Sequence, residues 1–115
     1  MNNRDWIKIT PAENIPPREG RSVRIAGMNV ALVNLGDRFV AVEDRCPHRG
    51  GPLSDGIVGG TTITCPMHNW RICLETGRVI KPTGVESAGC VTTFPVKVEY
   101  GIVMVAVDAA ELQAA

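Results

Sequence analysis

The sequence contains few aromatic residues, no long apolar run and no apolar leader. Phenylalanine, tryptophan and tyrosine make up 4% of the 115 residues, and the longest uninterrupted apolar run is the six residues 102–107. Because a helix needs about 20 apolar residues to cross a bilayer, we expect no membrane segment. The first residues, MNNRDW, include neither an apolar stretch nor paired arginines. We therefore expect a cytoplasmic protein.

An excess of charge is also absent. The 12 lysines and arginines balance the 12 aspartates and glutamates, so the formal net charge is +0. Since phosphate backbones and anionic lipids attract proteins mainly through positive charge, we expect no nucleic-acid or membrane partner. The length fits one domain with one core, and we assign residues 1–115 to a single domain.

The composition that remains favours an all-β fold. Valine and isoleucine far outnumber leucine, and the 12 glycines and 8 prolines suit short strands joined by tight turns. The apolar patterns predict antiparallel strands at residues 23–26, 30–34, 39–43, 71–74, 78–80, 92–99 and 102–107. Residues 11–20 are expected to form a turn or a short helical piece, and residues 108–115 one frayed helical turn.

The last two predicted strands form a hairpin across Tyr100 and Gly101. Val96, Val98 and Tyr100 alternate with charged residues, which predicts that these three side chains face the core.

Both histidines of the chain follow a Cys-Pro pair. The two segments are Cys46-Pro47-His48 and Cys65-Pro66-Met67-His68, and 16 residues separate them. Zinc sites commonly pair cysteine with cysteine and histidine with histidine, which is a different order. The pattern C-x-H followed by C-x-x-H is what a Rieske 2Fe-2S cluster requires, with two cysteines on one iron and two histidines on the other. We predict that Cys46, His48, Cys65 and His68 hold such a cluster.

Formal charge counting indicates what this ligand set does. Two ferric ions, two sulfides, two thiolates and two neutral imidazoles sum to zero, and four thiolates would leave the oxidised cluster at about −2. A neutral centre accepts an electron more readily than an anion does, so the predicted site is an electron relay. A zinc-stabilised interaction module and a Cys-His nucleophilic pair are the alternatives. Cys73 and Cys90, each beside apolar residues, are predicted to be buried thiols.

The motifs CPHRGGPLSDG (residues 46–56), CPMHNW (65–70) and LETG (74–77) resemble the small subunit of assimilatory NAD(P)H nitrite reductase. The resemblance implies a Rieske fold: an antiparallel β-sandwich-like base with a small cluster-binding subdomain at about residues 45–82. It also implies a large partner subunit that holds flavin and sirohaem and reduces nitrite to ammonia in nitrate assimilation. This chain alone would then have no substrate-turnover site. The alternative is a Rieske ferredoxin that delivers electrons to an aromatic-ring-hydroxylating dioxygenase.

Two further expectations concern the surroundings of the cluster. Rieske proteins of cytochrome complexes carry two additional cysteines and a serine where this chain has Gly51, Met67 and Trp70, and losing those sulfide hydrogen bonds lowers the reduction potential. We also expect a partly apolar docking surface formed by Arg49, Leu53, Met67 and Trp70, with a complex that resists moderate salt.

Overall fold

The computed structural model describes residues 4–46, 51–66, 69–81 and 90–108. Within these ranges eleven strands form three antiparallel sheets, which confirms the all-β prediction. The first sheet has the order β1-β11-β10 and the second the order β2-β3-β4-β9. Their strands are β1 (Arg4–Pro11), β2 (Gly20–Ile25), β3 (Met28–Asn34), β4 (Phe39–Glu43), β9 (Thr93–Phe94), β10 (Val96–Glu99) and β11 (Ile102–Asp108).

The third sheet has the order β5-β6-β7-β8. Its strands are β5 (Ile57–Gly59), β6 (Thr62–Thr64), β7 (Arg71–Cys73) and β8 (Val79–Lys81). Two short 3-10 helices, Ala12–Asn14 and Leu53–Asp55, complete the regular structure of the described residues. The first agrees with the prediction for the proline-rich segment.

Strand β3 lies between two apolar cores. Val30 and Leu32 pack with β11 in one core, and Ala31 and Val33 pack toward the third sheet in the other. Because successive side chains of a strand point to opposite faces, a run that is apolar at every position fits a strand covered on both sides. The second sheet is therefore the middle layer, with the first sheet on one face and the third on the other.

The third sheet is inserted in the chain between two hydrogen-bonded neighbours of the second. Ala41 of β4 pairs with Phe94 of β9, and the Glu43 N–H donates to the Thr92 carbonyl at 2.8 Å. The segment that carries both Cys-Pro motifs thus leaves and returns at the same sheet edge.

The prediction for residues 92–99 is wrong in one respect. Pro95 divides this stretch into β9 and β10, which belong to different sheets. Proline has no N–H with which to continue a ladder, although its carbonyl accepts from the Ala106 N–H at 2.9 Å.

Of the three side chains of the last hairpin that were expected to face the core, only Val96 does so. It packs against the core between the first and second sheets. Val98 is 45% exposed, and Tyr100 is fully exposed. Tyr100 and Gly101 both have positive φ, as a two-residue hairpin turn requires, so Tyr100 belongs to the turn and not to a strand face.

The remaining differences concern strands and the end of the chain. Strands β1, β5 and β6 were not among the predicted strands. Asp108 ends β11, and the rest of the predicted helical turn, residues 109–115, lies outside the described residues. In the part of the chain that the structure describes, no helix has the length and apolar character needed to span a bilayer.

Candidate metal centre

Two loops begin with Cys-Pro, and each is closed by an equivalent backbone hydrogen bond. The Cys46 N–H donates to the Gly51 carbonyl at 2.7 Å, and the Cys65 N–H donates to the Trp70 carbonyl at 2.7 Å. In both loops the carbonyl lies five residues beyond the cysteine, and the predicted histidine lies between the two ends. The sequence match between the motifs is therefore also a match of backbone closure.

Both cysteines lie in one apolar core beneath the third sheet. Cys46 is 1% exposed and Cys65 is fully buried. Their core also contains Leu53, Ile63 and Ile72, and Trp70 packs partly buried against it. All four cysteines of the chain carry thiols and not disulfides.

The two buried thiols, of Cys46 and Cys65, are two of the four predicted cluster ligands. A thiolate in an apolar core needs a compensating positive charge, which a bound ferric ion would supply. His48 and His68 lie outside the described residues, so the structure brings together two of the four predicted ligands. Among residues 4–46, 51–66, 69–81 and 90–108, no group of three or more His, Cys, Asp or Glu side chains is arranged to hold a metal ion.

Asp44 fixes the first loop from outside the motif. Its carboxylate accepts the Ser54 N–H at 2.7 Å and the Ser54 hydroxyl at 2.8 Å, and its own N–H donates to the Asn29 carbonyl at 2.9 Å. Asp44 is 9% exposed. The contact ties the residue two positions before Cys46 to the 3-10 helix that follows the loop. Sequence reasoning missed this pair, since ten residues separate the two side chains.

Gly56 and Asn69 each occupy a position where the backbone restricts the type of residue. A Cβ on Gly56 would lie 2.4 Å from the Thr64 carbonyl oxygen, so only glycine lets the chain pass this close to β6. Asn69 has φ of 60°, a left-handed conformation that asparagine tolerates, and its N–H donates to the Cys65 carbonyl at 3.1 Å. Both residues shape the approach to a cysteine, and neither was singled out from the sequence.

The expectation that Cys73 and Cys90 are buried thiols is wrong for Cys90, which is exposed, and only partly right for Cys73, which is half-buried. The backbones of Cys90 and Arg78 form an isolated antiparallel β-bridge next to the edge strand β8. Burial raises the pKa of the Cys73 thiol. Hydrogen bonds from the Thr76 hydroxyl and from the Thr76 and Glu75 N–H groups outweigh it, and the pKa lies below the ordinary value.

The expected docking surface also needs correction. Leu53 is fully buried and cannot contact a partner. Trp70 is half-buried against the core, while Arg49 and Met67 lie outside the described residues. The reason for the error is local: Leu53 begins a 3-10 turn whose apolar side chain points inward beside Cys46.

Residues 5–95 match the Rieske [2Fe-2S] domain family. The chain belongs to this family. The Rieske fold predicted from the sequence is thereby confirmed, and so is the cofactor, a Rieske-type 2Fe-2S cluster. The zinc module and the Cys-His nucleophile are both superseded.

The similar proteins include dioxygenase ferredoxins and nitrite reductase small subunits. The ferredoxin subunit of 3-phenylpropionate/cinnamic acid dioxygenase from Escherichia coli K12 is 34% identical over 101 residues, covering 86% of this chain and 91% of that protein. A chain from the complex of reduced oxygenase and oxidised ferredoxin of carbazole 1,9a-dioxygenase superimposes with a TM-score of 0.77 at 31% identity, covering 86% of this chain and 99% of the other. A Mycobacterium tuberculosis protein assigned as an NADH-dependent nitrite reductase small subunit gives a TM-score of 0.83 at 26% identity, covering 94% and 99%.

Proposed function

We propose that this Rieske protein transfers single electrons through a cluster held by Cys46, His48, Cys65 and His68. The observation that carries the proposal is the pair of identically closed Cys-Pro loops, whose two thiols meet in one apolar core. The cluster supplies a centre that gains and loses one electron. We further propose that these ligands belong to a cluster-binding subdomain at about residues 45–82 of a single domain, residues 1–115.

The residues around the thiols have separate tasks in this proposal. Cys46 and Cys65 would hold one iron of the cluster, and His48 and His68 would hold the other. Ile63 and Ile72 exclude water from the thiolate side, where a low dielectric strengthens the attraction between thiolate and iron. The Asp44–Ser54 contact orients the first loop.

For the physiological role we propose a ferredoxin that delivers electrons to an aromatic-ring-hydroxylating dioxygenase. The identity of 34% to the dioxygenase ferredoxin subunit, over 91% of its length, supports this role. The 31% identity to a chain of the carbazole dioxygenase complex supports it as well. The motifs alone favoured the nitrite reductase small subunit over the dioxygenase ferredoxin. We reverse that order because identity over the whole domain is stronger support than similarity confined to two ligand loops.

The small subunit of NAD(P)H nitrite reductase is the second candidate. The TM-score of 0.83 and the coverage of 94% of this chain favour it. Its partner would be a large flavin and sirohaem subunit that reduces nitrite to ammonia. In either role the chain is the electron-carrying component of a cytoplasmic oxidoreductase, and substrate turnover takes place on another chain.

Deleting the gene from its host separates the two roles. A dioxygenase ferredoxin is required for growth on an aromatic carbon source, and nitrite assimilation continues without it. A nitrite reductase subunit shows the opposite pattern, with impaired growth on nitrate or nitrite as sole nitrogen source and normal growth on ammonium. Complementation with the wild-type gene and with Cys65→Ala is the matched control, because only the wild type restores growth if electrons pass through the cluster.

A further inference from the structure

The third sheet presents one row of side chains on the face that points away from the core. The strand register aligns Ile57 with Thr64, Thr64 with Arg71, and Arg71 with Lys81. Directly paired residues share a face, and the intervening residues Ile63 and Ile72 are buried in the core. We call Ile57, Thr64, Arg71 and Lys81 the outer row.

Two like charges of the outer row stand directly opposite each other. Arg71 and Lys81 are paired across adjacent strands, both exposed, an arrangement that destabilises a sheet. Within the described ranges neither makes an ion pair, and the same holds for Arg78 at the start of the same edge. Glu75, in the turn after β7, is already engaged by Arg38. The repulsion between Arg71 and Lys81 thus has no compensating carboxylate among these residues.

The outer row lies beside the second ligand loop. Thr64 immediately precedes Cys65, and Arg71 immediately follows Trp70, whose carbonyl closes that loop. At the other end of the row Ile57 is 76% exposed, a large apolar side chain, whereas the other three members of the row are polar. A partner that covers this row would therefore contact the rim of the cluster site.

We propose that the outer row is the docking surface for a carboxylate-rich face of the protein with which this chain exchanges electrons. Partner carboxylates would remove the repulsion between Arg71 and Lys81, and the planar guanidinium of Arg71 suits a bidentate carboxylate contact. Ile57 would supply the apolar contact that a charged rim surrounds. The inference rests on the proposed electron-transfer function only for the nature of the partner.

This surface reverses the earlier expectation about salt. That expectation assumed that Leu53 was an exposed part of a partly apolar patch, and Leu53 is buried. Association through Arg71 and Lys81 is screened as the Debye length falls from about 10 Å at 0.1 M salt to about 3 Å at 1 M. Complex formation should weaken with salt although the chain has no net charge.

Binding of labelled poly-L-glutamate to the cluster-loaded protein tests the surface directly. Fluorescence anisotropy at low salt should show binding that weakens about tenfold in Arg71→Gln/Lys81→Gln and is abolished in Arg71→Glu/Lys81→Glu. The matched control is Lys8→Gln/Arg24→Gln, which removes two exposed cations from β1 and β2. Visible absorption verifies that each variant keeps its cluster, and the Gln variant maintains the test if the Glu variant does not fold.

Equal weakening in the control variant would refute the proposal, because binding would then follow total charge. Tighter binding to duplex DNA than to poly-L-glutamate, lost in Arg71→Gln/Lys81→Gln, would also overturn it and indicate a nucleic-acid surface. Since this assay involves no electron transfer, its result is independent of the growth experiment.

Stopped-flow oxidation then tests whether the outer row lies on the electron path. One electron passes from the reduced protein to hexacyanoferrate(III), giving hexacyanoferrate(II). For wild type the rate should fall as salt is added, and for Arg71→Glu/Lys81→Glu it should rise, since the local charge has changed sign. The same salt dependence in both proteins would contradict docking at this row.

Discussion

The carboxylate of Asp44 holds Ser54 at two points, accepting both its N–H and its hydroxyl hydrogen. The two residues flank the first ligand loop, one on each side. The loop is thus closed twice, by the Cys46 N–H to the Gly51 carbonyl and by this side-chain contact outside it. A ligand loop that is fixed at two levels can present Cys46 in one geometry before any metal binds.

Replacing Asp44 with Asn should loosen that loop. The amide carries no charge, so both hydrogen bonds to Ser54 become neutral ones, at a cost of about 1–3 kcal/mol of unfolding free energy. Denaturant unfolding measures the loss, and the rate of iron release to a chelator should increase. Asp55→Asn, an exposed change in the neighbouring 3-10 helix, is the control and should leave both quantities unchanged.

A methyl group at Gly56 should be poorly tolerated. Its Cβ would meet the Thr64 carbonyl oxygen at 2.4 Å, and the backbone beside Cys65 would have to move. We expect Gly56→Ala to lower the unfolding free energy by about 1–3 kcal/mol. Gly59→Ala provides the comparison because a Cβ there has no atom within 4 Å. Similar thermal stability of the two variants would show that the close approach is unimportant.

The ligand assignment predicts a sharp division among the cysteines and histidines. Alanine at Cys46, His48, Cys65 or His68 should abolish or severely deplete bound iron, because each removes one of four ligands. Cys73→Ala and Cys90→Ala should retain iron, as both thiols lie outside the core that contains Cys46 and Cys65. Iron per chain and visible absorption measure the outcome. Retention in Cys65→Ala together with loss in Cys90→Ala would require a different ligand set.

Cys73 should react as a thiolate at a lower pH than an ordinary cysteine. The hydrogen bonds from Thr76 and Glu75 favour the ionised form, and the alkylation rate with iodoacetamide should rise at a pH below the ordinary thiol pKa. Thr76→Val removes the hydroxyl donor and should move this rise toward higher pH. Because the folded pKa is depressed, the associated stabilisation is present at high pH and lost as pH falls through that pKa.

The cysteine assay uses a Cys90→Ala background, so that Cys73 is the reactive thiol outside the cluster site. Thr92→Val, an exposed threonine immediately before β9, is the control. Identical pH profiles for Thr76→Val and the control would contradict the role of the Thr76 hydroxyl.

The reduction potential should lie near the lower end of the Rieske range, closer to about −150 mV than to +300 mV. Rieske proteins of cytochrome complexes carry two disulfide cysteines and a serine where this chain has Gly51, Met67 and Trp70. The reduced cluster of this chain should therefore receive fewer stabilising hydrogen bonds. Potentiometric titration at neutral pH measures this value, and a strongly positive potential would contradict the explanation.

Local patterns in the sequence were sufficient for the fold class and for most strands of the base. The predicted strand at residues 39–43 coincides with β4, and those at 30–34 and 102–107 differ from β3 and β11 by a few terminal residues. The three-residue strands β5 and β6 are too short for alternation to be distinguished from a loop. Their pairing depends on neighbours such as Cys73, which a local pattern does not include.

The candidate site was also predicted only in part from local sequence patterns. Two Cys-Pro motifs with a histidine in each indicated the cofactor, since its chemistry needs that ligand set. The Asp44–Ser54 contact, the burial of Leu53 and the Arg71–Lys81 pair all depend on how separate segments meet. The first two follow from how the 3-10 helix packs against the first loop, and the third follows from the register of the third sheet.

The pairing of β4 with β9 closes a loop of roughly 50 residues, and the conformational entropy lost on closing such a loop opposes folding. Cys46 and Cys65 both lie inside that loop. Ligation of the cluster by the proposed ligands within it would restrict the open chain and so lower the entropy still to be lost when Ala41 meets Phe94. By reciprocal linkage, a paired β4 and β9 must also favour metal uptake. A strand pair that contains no ligand is thereby coupled to the assembly of the cofactor.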